Sequence, residues 1–335
     1  MMIEGEAIHG NLMNAIKQRF PNEKNIGNVL MDILCLGKES VYRRIRGEVP
    51  FTLFEVATIA KTLDFSLDNI LGTATNGNRP FQLVLTGHIN PSKQDLAVQK
   101  HYINFMHLVG NDPNAEIGYA TNVIPMFFAY SYPYLSRLYA FKYAYQRDGV
   151  ELLKPYSQIH FSKELTELQK GHYEKATRIK NSFYIFDNLI FLYAINDIKY
   201  FSSIHMIEEE EVKGIKEDLF RLIDNLEELA IKGHFESGVP VNLYISNINF
   251  DTTYSYVCSQ SYNLCMVNAF TLDCISSLDM DTFTIIKRWV QSLKRCATLI
   301  SESGEVQRVT FFKKQRELVN TLDACTPNID PLSFL

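Results

Sequence analysis

Between Lys38 and Arg46 the chain carries four basic side chains, Lys38, Arg43, Arg44 and Arg46, against one acid, Glu39. The whole chain has a net charge of −5, so this stretch reverses the sign locally. A guanidinium can donate two parallel hydrogen bonds to O6 and N7 of guanine, and Tyr, Ser and Lys reach base edges or phosphates. If Val41 and Ile45, spaced four apart, point inward, then Glu39, Tyr42, Arg43 and Arg46 share the opposite helical face. Lys38 and Ser40 then fall at the helix N-terminus, where a phosphate is favoured. A run of charges is usually only a solvated face, so the surrounding elements must decide between the two readings.

Those elements form a series of five short helices over residues 1–72. Leu12, Ile16 and Phe20 repeat every fourth residue until Pro21 ends the first helix. Ile26, Val29, Leu30, Ile33 and Leu34 share one face of the second, about Asn25–Leu34. The third runs from Lys38 to Gly47, a residue that tolerates the left-handed backbone of a helix end. The fourth starts at Thr52, with Glu55 three residues on completing a capping box and Phe51 and Val56 placed for a hydrophobic staple. Ser66 caps a fifth, Leu67–Leu71. Helices two and three share a seam of Leu30, Leu34, Leu36, Val41 and Ile45.

Residues 10–71 resemble the Cro and lambda-repressor (XRE-type) helix-turn-helix domain. The matching features are the helix pair, the Arg46-Gly47-Glu48 that follows, and the run from Pro50 to Leu71, which looks like the family's fourth and fifth helices. The resemblance implies that Lys38, Glu39, Tyr42 and Arg43 contact base edges, with Ser40 and Arg46 nearer the backbone. The sequence departs from the pattern at three points. Cys35 stands where Gly is usual in the turn, with Gly37 two residues later. Met31 replaces a small residue. Arg44 replaces an apolar one, with Ile45 taking over its role. These departures predict a turn or helix pairing shifted by one residue.

Gly72–Pro80 is polar and without periodicity, so residues 73–80 read as a linker. Residues 81–235 read as mainly helical, a sensor and dimerisation region, with helices near Lys93–Leu108, Pro133–Gln146, Lys163–Ile179, Phe183–Tyr200 and Glu209–Lys232. Its aromatic run from Met126 to Tyr145 is either packed core or an effector pocket lined by Phe127, Phe128, Tyr132, Tyr134 and Tyr139. From 236 to 322 the pattern shifts to short β-branched and aromatic runs, an α+β region with a small antiparallel sheet. Two helices follow those runs, about Asp281–Ser301 and Val306–Leu322. In the first, Trp289 is expected at the seam against the sheet. Residues 323–335 read as an irregular tail. The fold class is therefore mainly α.

The hydrophobic share is 46% and the charged share 21%, as in ordinary folded domains. The first ten residues have neither the basic nor the apolar segment of a secretory signal. No apolar run reaches the roughly 18 residues of a membrane span, so the expectation is a cytoplasmic protein with no membrane partner. The six cysteines form no CxxC pair and read as free thiols, with redox sensing by Cys258, Cys265 and Cys274 as the alternative. No HExxH, P-loop or GxSxG motif occurs, and neither Ala-Gly nor Cys-Gly, the dipeptides at which self-cleaving repressors cut. No catalytic residues, metal or cofactor are therefore expected. The sequence points to a homodimeric regulator that reads double-stranded DNA with its third helix and responds to an unknown small-molecule or protein effector. The alternative is a helix-turn-helix fold used as a protein-interaction scaffold.

Overall fold

The computed structural model describes residues 5–19, 26–63, 65, 67, 81–147, 154–260 and 262–324. The N-terminal part contains α1 (Gly5–Arg19), α2 (Ile26–Leu34), α3 (Lys38–Ile45) and α4 (Leu53–Leu63). Leu12, Ile16, Leu30, Val41 and Ile59 form their shared core. Local chemistry sets the boundaries. Thr52 and Glu55 complete the capping box, the Glu55 amide donating to Thr52 Oγ1 at 3.2 Å and the Thr52 amide to Glu55 Oε2 at 2.8 Å. Phe51 and Val56 both pack on the core. Gly47 has φ +77°, the left-handed conformation expected where α3 ends. The predicted fifth helix, apart from isolated residues, and the predicted linker lie outside the described residues.

The turn between α2 and α3 is made at Cys35 itself, with φ +53°. Gly37 has an ordinary extended backbone, φ −66°. Cys35 thus takes the left-handed turn position in place of Gly, at a conformational cost of about 1–2 kcal/mol. The departure from the usual residue is absorbed as backbone strain at Cys35.

The C-terminal part is built on one eight-stranded mixed sheet in the order β1-β7-β6-β5-β2-β3-β4-β8. Its strands are β1 (Gln82–Leu83), β2 (Glu116–Thr121), β3 (Asn181–Phe186), β4 (Val241–Ser246), β5 (Tyr254–Cys258), β6 (Asn263–Asn268), β7 (Cys274–Ser277) and β8 (Ala297–Leu299). The expected small antiparallel sheet is therefore larger and mixed, and it recruits three strands from the stretch read as helical. β2 and β3 pair in parallel, Glu116 opposite Asn181, and β3 pairs with β4 the same way, Ser182 opposite Val241. Parallel neighbours need long crossovers. The first supplies α6 (Met126–Ala129), α7 (Pro133–Arg147) and α8 (Lys163–Ala176), and the second α9 (Leu192–Ser203) and α10 (Glu209–Lys232). Before them, α5 (Lys93–Gly110) leads from β1 into β2. β5, β6 and β7 form an antiparallel meander, with β1 added at its edge.

The single helix predicted over Phe183–Tyr200 is instead β3 followed by α9. Ser182 to Phe186 are all buried, because both faces of the sheet are covered there. A strand buried on both sides reads as a continuous apolar run, which periodicity cannot distinguish from a buried helix. The expected α10 is present with its full range. Glu208 and Glu211 form a capping box at its start, and Gly233 ends it with φ +67°, so the acidic run Glu208–Glu211 is a helix cap.

The large core lies on the face of the sheet covered by α5 to α10 and by α12 (Glu305–Asn320). The opposite face holds a smaller core of Phe183, Ile185, Tyr256, Cys265, Phe283, Val290 and Leu293 beneath α11 (Met280–Arg295). Trp289 does not sit in that seam. It is 49% exposed, beside Tyr254, because Phe283, Val290 and Leu293 take the inward face. Two of the cations of α11 also turn inward. Lys287 pairs with Glu116 at 3.0 Å, and Lys294 lies 4.2 Å from the Phe183 ring centre. Thr321–Ala324 form a short 3-10 turn, and the rest of the tail lies outside the described residues. Among the described residues no helix is long and apolar enough to cross a membrane.

Candidate functional site

α3 is held by packing on one side and is open on the other. Val41 is fully buried, and Ile45 and Leu36 pack around it. Lys38, Glu39, Arg43 and Arg46 are exposed, and Ser40 and Tyr42 are half-buried. Tyr42 lies across Gly27 of α2, where an added Cβ would stand 2.7 Å from the phenol oxygen. The glycine thus lets the tyrosine ring bridge the two helices. Lys38 Nζ lies 5.9 Å from that ring.

The exposed cations are not free of acids. Arg46 donates to both carboxylate oxygens of Glu48, at 2.6 and 3.2 Å, and reaches Glu39 at 3.6 Å. The Arg46 hydrogen bond holds the Glu48 carboxyl below its usual range. Arg43 approaches the same carboxylate at 3.6 Å. These are surface pairs and exchange readily for other anions.

Arg44 plays a different part. It points into the domain, donating to Ser40 Oγ at 2.8 Å and to Glu55 Oε2 at 3.0 Å. An arginine where an apolar residue is common is therefore explained by its partner, the cap carboxylate of α4. Burial would raise the Glu55 carboxyl, but the Arg44 hydrogen bond, the Thr52 amide and the Arg44 charge together hold it below the ordinary range.

The second site is a half-open cavity of about 870 Å³ on the large-core face, walled by α5, α6, α7 and α8 over β2, β3, β5, β6 and β7, with Thr62 and Leu63 of α4 at its margin. Its walls are mainly apolar. Tyr102, Tyr119, Tyr130, Tyr139 and Tyr184 bring phenols to it, and His172 an imidazole. Burial pushes the His172 pKa down to about 4 and the Tyr130 hydroxyl up to about 12, so both are neutral near pH 7. Tyr102 and Tyr130 pack on the His172 ring at 5.0 and 5.8 Å between centres.

Of the five aromatic residues expected to line a pocket, Phe127 and Tyr139 do so. The others fall elsewhere. Phe128 is in the core behind Phe127, their ring centres 4.1 Å apart. Tyr132 accepts a hydrogen bond from Asn225 of α10. Tyr134 is 40% exposed and lies over Gly214 of the same helix. A dense aromatic run on helices must spread around the helix axis, so its members cannot all face one cavity. Tyr102, Tyr119, Tyr184 and His172 were missed because they come from four separate elements, which only the sheet order brings together.

One edge of the cavity is formed by Val84, Thr86 and His88, just after β1. This strap is latched to the body by Asp273. That carboxylate accepts from Thr86 Oγ1 at 3.1 Å and from the Tyr143 hydroxyl at 2.6 Å, and it pairs with His88 Nε2 at 2.9 Å. Burial raises the Asp273 pKa, and the hydrogen bonds of His88 and Tyr143 outweigh it, leaving the carboxyl below its usual range.

The four packed helices, with the exposed face of α3 beside a tight turn, define a helix-turn-helix unit. Residues 6–103 match the BetR domain, a helix-turn-helix-type DNA-binding domain of regulators. The matched stretch runs past α4 through the strap and into α5, so it includes part of the cavity wall. No curated protein and no solved structure matches the chain.

Proposed function

We propose that this chain is a sequence-specific transcriptional regulator of the XRE type whose C-terminal region senses an effector. The observation that carries the reading is the division of labour on α3. Arg44 is spent on the scaffold, while Lys38, Glu39, Arg43 and Arg46 stand exposed on the opposite side. In the bound state α3 lies in the major groove. Arg43 and Lys38 read base edges with Glu39 and Tyr42, and Ser40 and Arg46 face the phosphate backbone. The pairs of Arg43 and Arg46 with Glu48 open in exchange for phosphate and base contacts. Catalysis has no part in this reading, and the site of action is the cytoplasm.

A single module buries little surface on DNA, so specificity calls for two copies. We infer a homodimer joined through the C-terminal region and reading half-sites about 34–36 Å apart, or a multiple of that. The apolar edge around β1 supports it, since Phe81, Leu83, Val84 and Leu85 are exposed there, a row that an unpartnered sheet edge rarely displays. The strap supports the coupling. It is at once part of the cavity wall and the first described segment after the reading head, so occupancy of the cavity biases the arrangement of the two heads.

The test is selection from random duplex DNA with the wild type and with Tyr42→Ala/Arg43→Ala. Enrichment of a two-fold motif by the wild type alone is the expected result, and the motif spacing reports the dimer. A second reading, a protein-interaction module, is favoured by the acids Glu39 and Glu48 that already engage Arg43 and Arg46. It predicts no motif. It also predicts none of the steep loss of DNA affinity with salt that phosphate contacts cause.

A further inference from the structure

We propose that the C-terminal cavity binds an uncharged, mainly apolar organic molecule that carries at least one hydrogen-bond acceptor. The proposal rests on the reading of this region as an effector sensor and names the chemistry of the effector. The volume, about 870 Å³, lies within the range of sites that enclose drug-sized ligands.

The charge of the ligand follows from the walls. Among the described residues no lysine or arginine lines the cavity, so an anion would find no permanent cation. Among the described residues Asp273 is the one lining carboxylate, and it is already occupied by Thr86, His88 and Tyr143. An ammonium would have to break that latch. A charge buried without a partner is strongly disfavoured, so both signs are rejected.

The acceptor follows from the hydroxyls. Tyr119, Tyr130 and Tyr184 line the cavity, and no hydrogen bond ties their hydroxyls to another side chain or carbonyl among the described residues. The hydroxyls open on the cavity, since the buried polar side-chain atoms without a partner are Ser136 Oγ and Gln315 Oε1 among the described residues. Phenols are donors first, so each can donate to a ligand oxygen or nitrogen beside it. His172, kept neutral by burial, donates or accepts according to its tautomer. The remaining wall, including Phe105, Met126, Leu264 and Met266, is apolar. Its three methionines, Met106, Met126 and Met266, adapt to ligands of more than one outline.

The test uses the full chain without DNA, so its failure is separate from failure of the DNA-reading proposal. Nile red, a neutral dye that brightens in apolar sites, is titrated and then displaced by three matched compounds. They are 2-acetylnaphthalene, neutral with one acceptor, 2-naphthoate and 2-naphthylmethylammonium. The expected result is saturable binding of one dye per chain, with the ketone displacing it at least tenfold more effectively than either ion. Leu264→Trp, which fills the cavity, weakens dye binding at least tenfold. Tyr130→Phe, which keeps the shape, weakens the ketone about fivefold, the worth of one neutral hydrogen bond. If Leu264→Trp does not fold, Tyr130→Phe and the charge series decide. The proposal is overturned by any of three results: no saturable dye binding to the wild type, an ion that competes as well as the ketone, or a folded Leu264→Trp that binds like the wild type.

Discussion

Arg44 of α3 and Glu55 of α4 meet through two contacts, Nε to Oε2 at 3.0 Å and Nη2 to Oε1 at 2.9 Å. The same carboxylate closes the cap of α4 by accepting the Thr52 amide. One side chain thus fixes the angle between the proposed recognition helix and the helix behind it. Both partners are largely buried, at 15% and 13% side-chain exposure. Replacing Arg44 by Met leaves the carboxylate in place without its cation. We expect a loss of about 2–3 kcal/mol in the helix-turn-helix unit, the scale of a charged hydrogen bond lost from a largely buried site. Hydrogen exchange of α2–α4 amides reads this directly, because it resolves the unit from the larger part. Arg44→Lys restores the charge but not the two-pronged geometry and recovers only part of the loss.

The same pair gives the unit an acid limb. The Glu55 carboxyl is held below its ordinary range in the folded state. Its contribution is therefore complete above the unfolded value, about 4.3, and is lost as pH falls through the lower folded value. Protection of α3 and α4 amides should be flat from pH 7 to about 5 and decline below about 4.3. Glu55→Gln should start lower and lose less over that window. An identical decline in both proteins would assign the acid limb to other carboxylates.

Arg46 and Arg43 should fail in different ways on DNA. Arg46 faces the phosphate backbone in this reading, so Arg46→Ala weakens all sequences alike and lowers the salt slope by about 1. Arg43 stands mid-helix, where a guanidinium can grip a guanine. Arg43→Ala should cost about 1–3 kcal/mol at one base position and relax the preference there. Titrations of matched and singly substituted duplexes at three salt concentrations separate the two patterns.

Gly118 in β2 is a packing test for the C-terminal part. An added Cβ there would stand 2.7 Å from Phe183 Cζ and still closer to the Tyr256 ring. Both rings are buried, and Tyr256 is further held by Glu116 and Gln291, so neither can swing away. Gly118→Ala should destabilise this part by about 1–3 kcal/mol, the usual cost of overpacking. Urea unfolding followed by Trp289 reports it, since that single tryptophan rests on Tyr254 of the adjoining strand.

The helix-turn-helix unit was legible in the sequence because its signals are local. A capping box spans four residues, a helix seam repeats at three or four, and Gly47 marks an end by its own backbone freedom. Thr52, Glu55, Val41 and Gly47 can each be read without knowing what lies across the fold. The exposed or buried fate of each arginine could not be read this way. Arg43 and Arg44 are neighbours of the same type, and only the position of Glu55 on the next helix turns one inward.

The C-terminal part was legible in its helices and closed in its sheet. α5, α7, α8 and α10 were each readable from the sequence, as amphipathic or capped segments. β2 and β3 are central strands with both faces covered, so they carry no alternation to mark them, and their neighbours are set by crossovers of dozens of residues. The cavity is a product of that order. Tyr102, Tyr119, His172 and Tyr184 are separated by long stretches of chain, and nothing in their spacing relates them. The sequence by itself determined the local elements of this protein and the chemistry of the α3 face. The tertiary structure alone decided which of those cations remain outside and which phenols converge on an internal space, because both depend on contacts between residues distant in the chain.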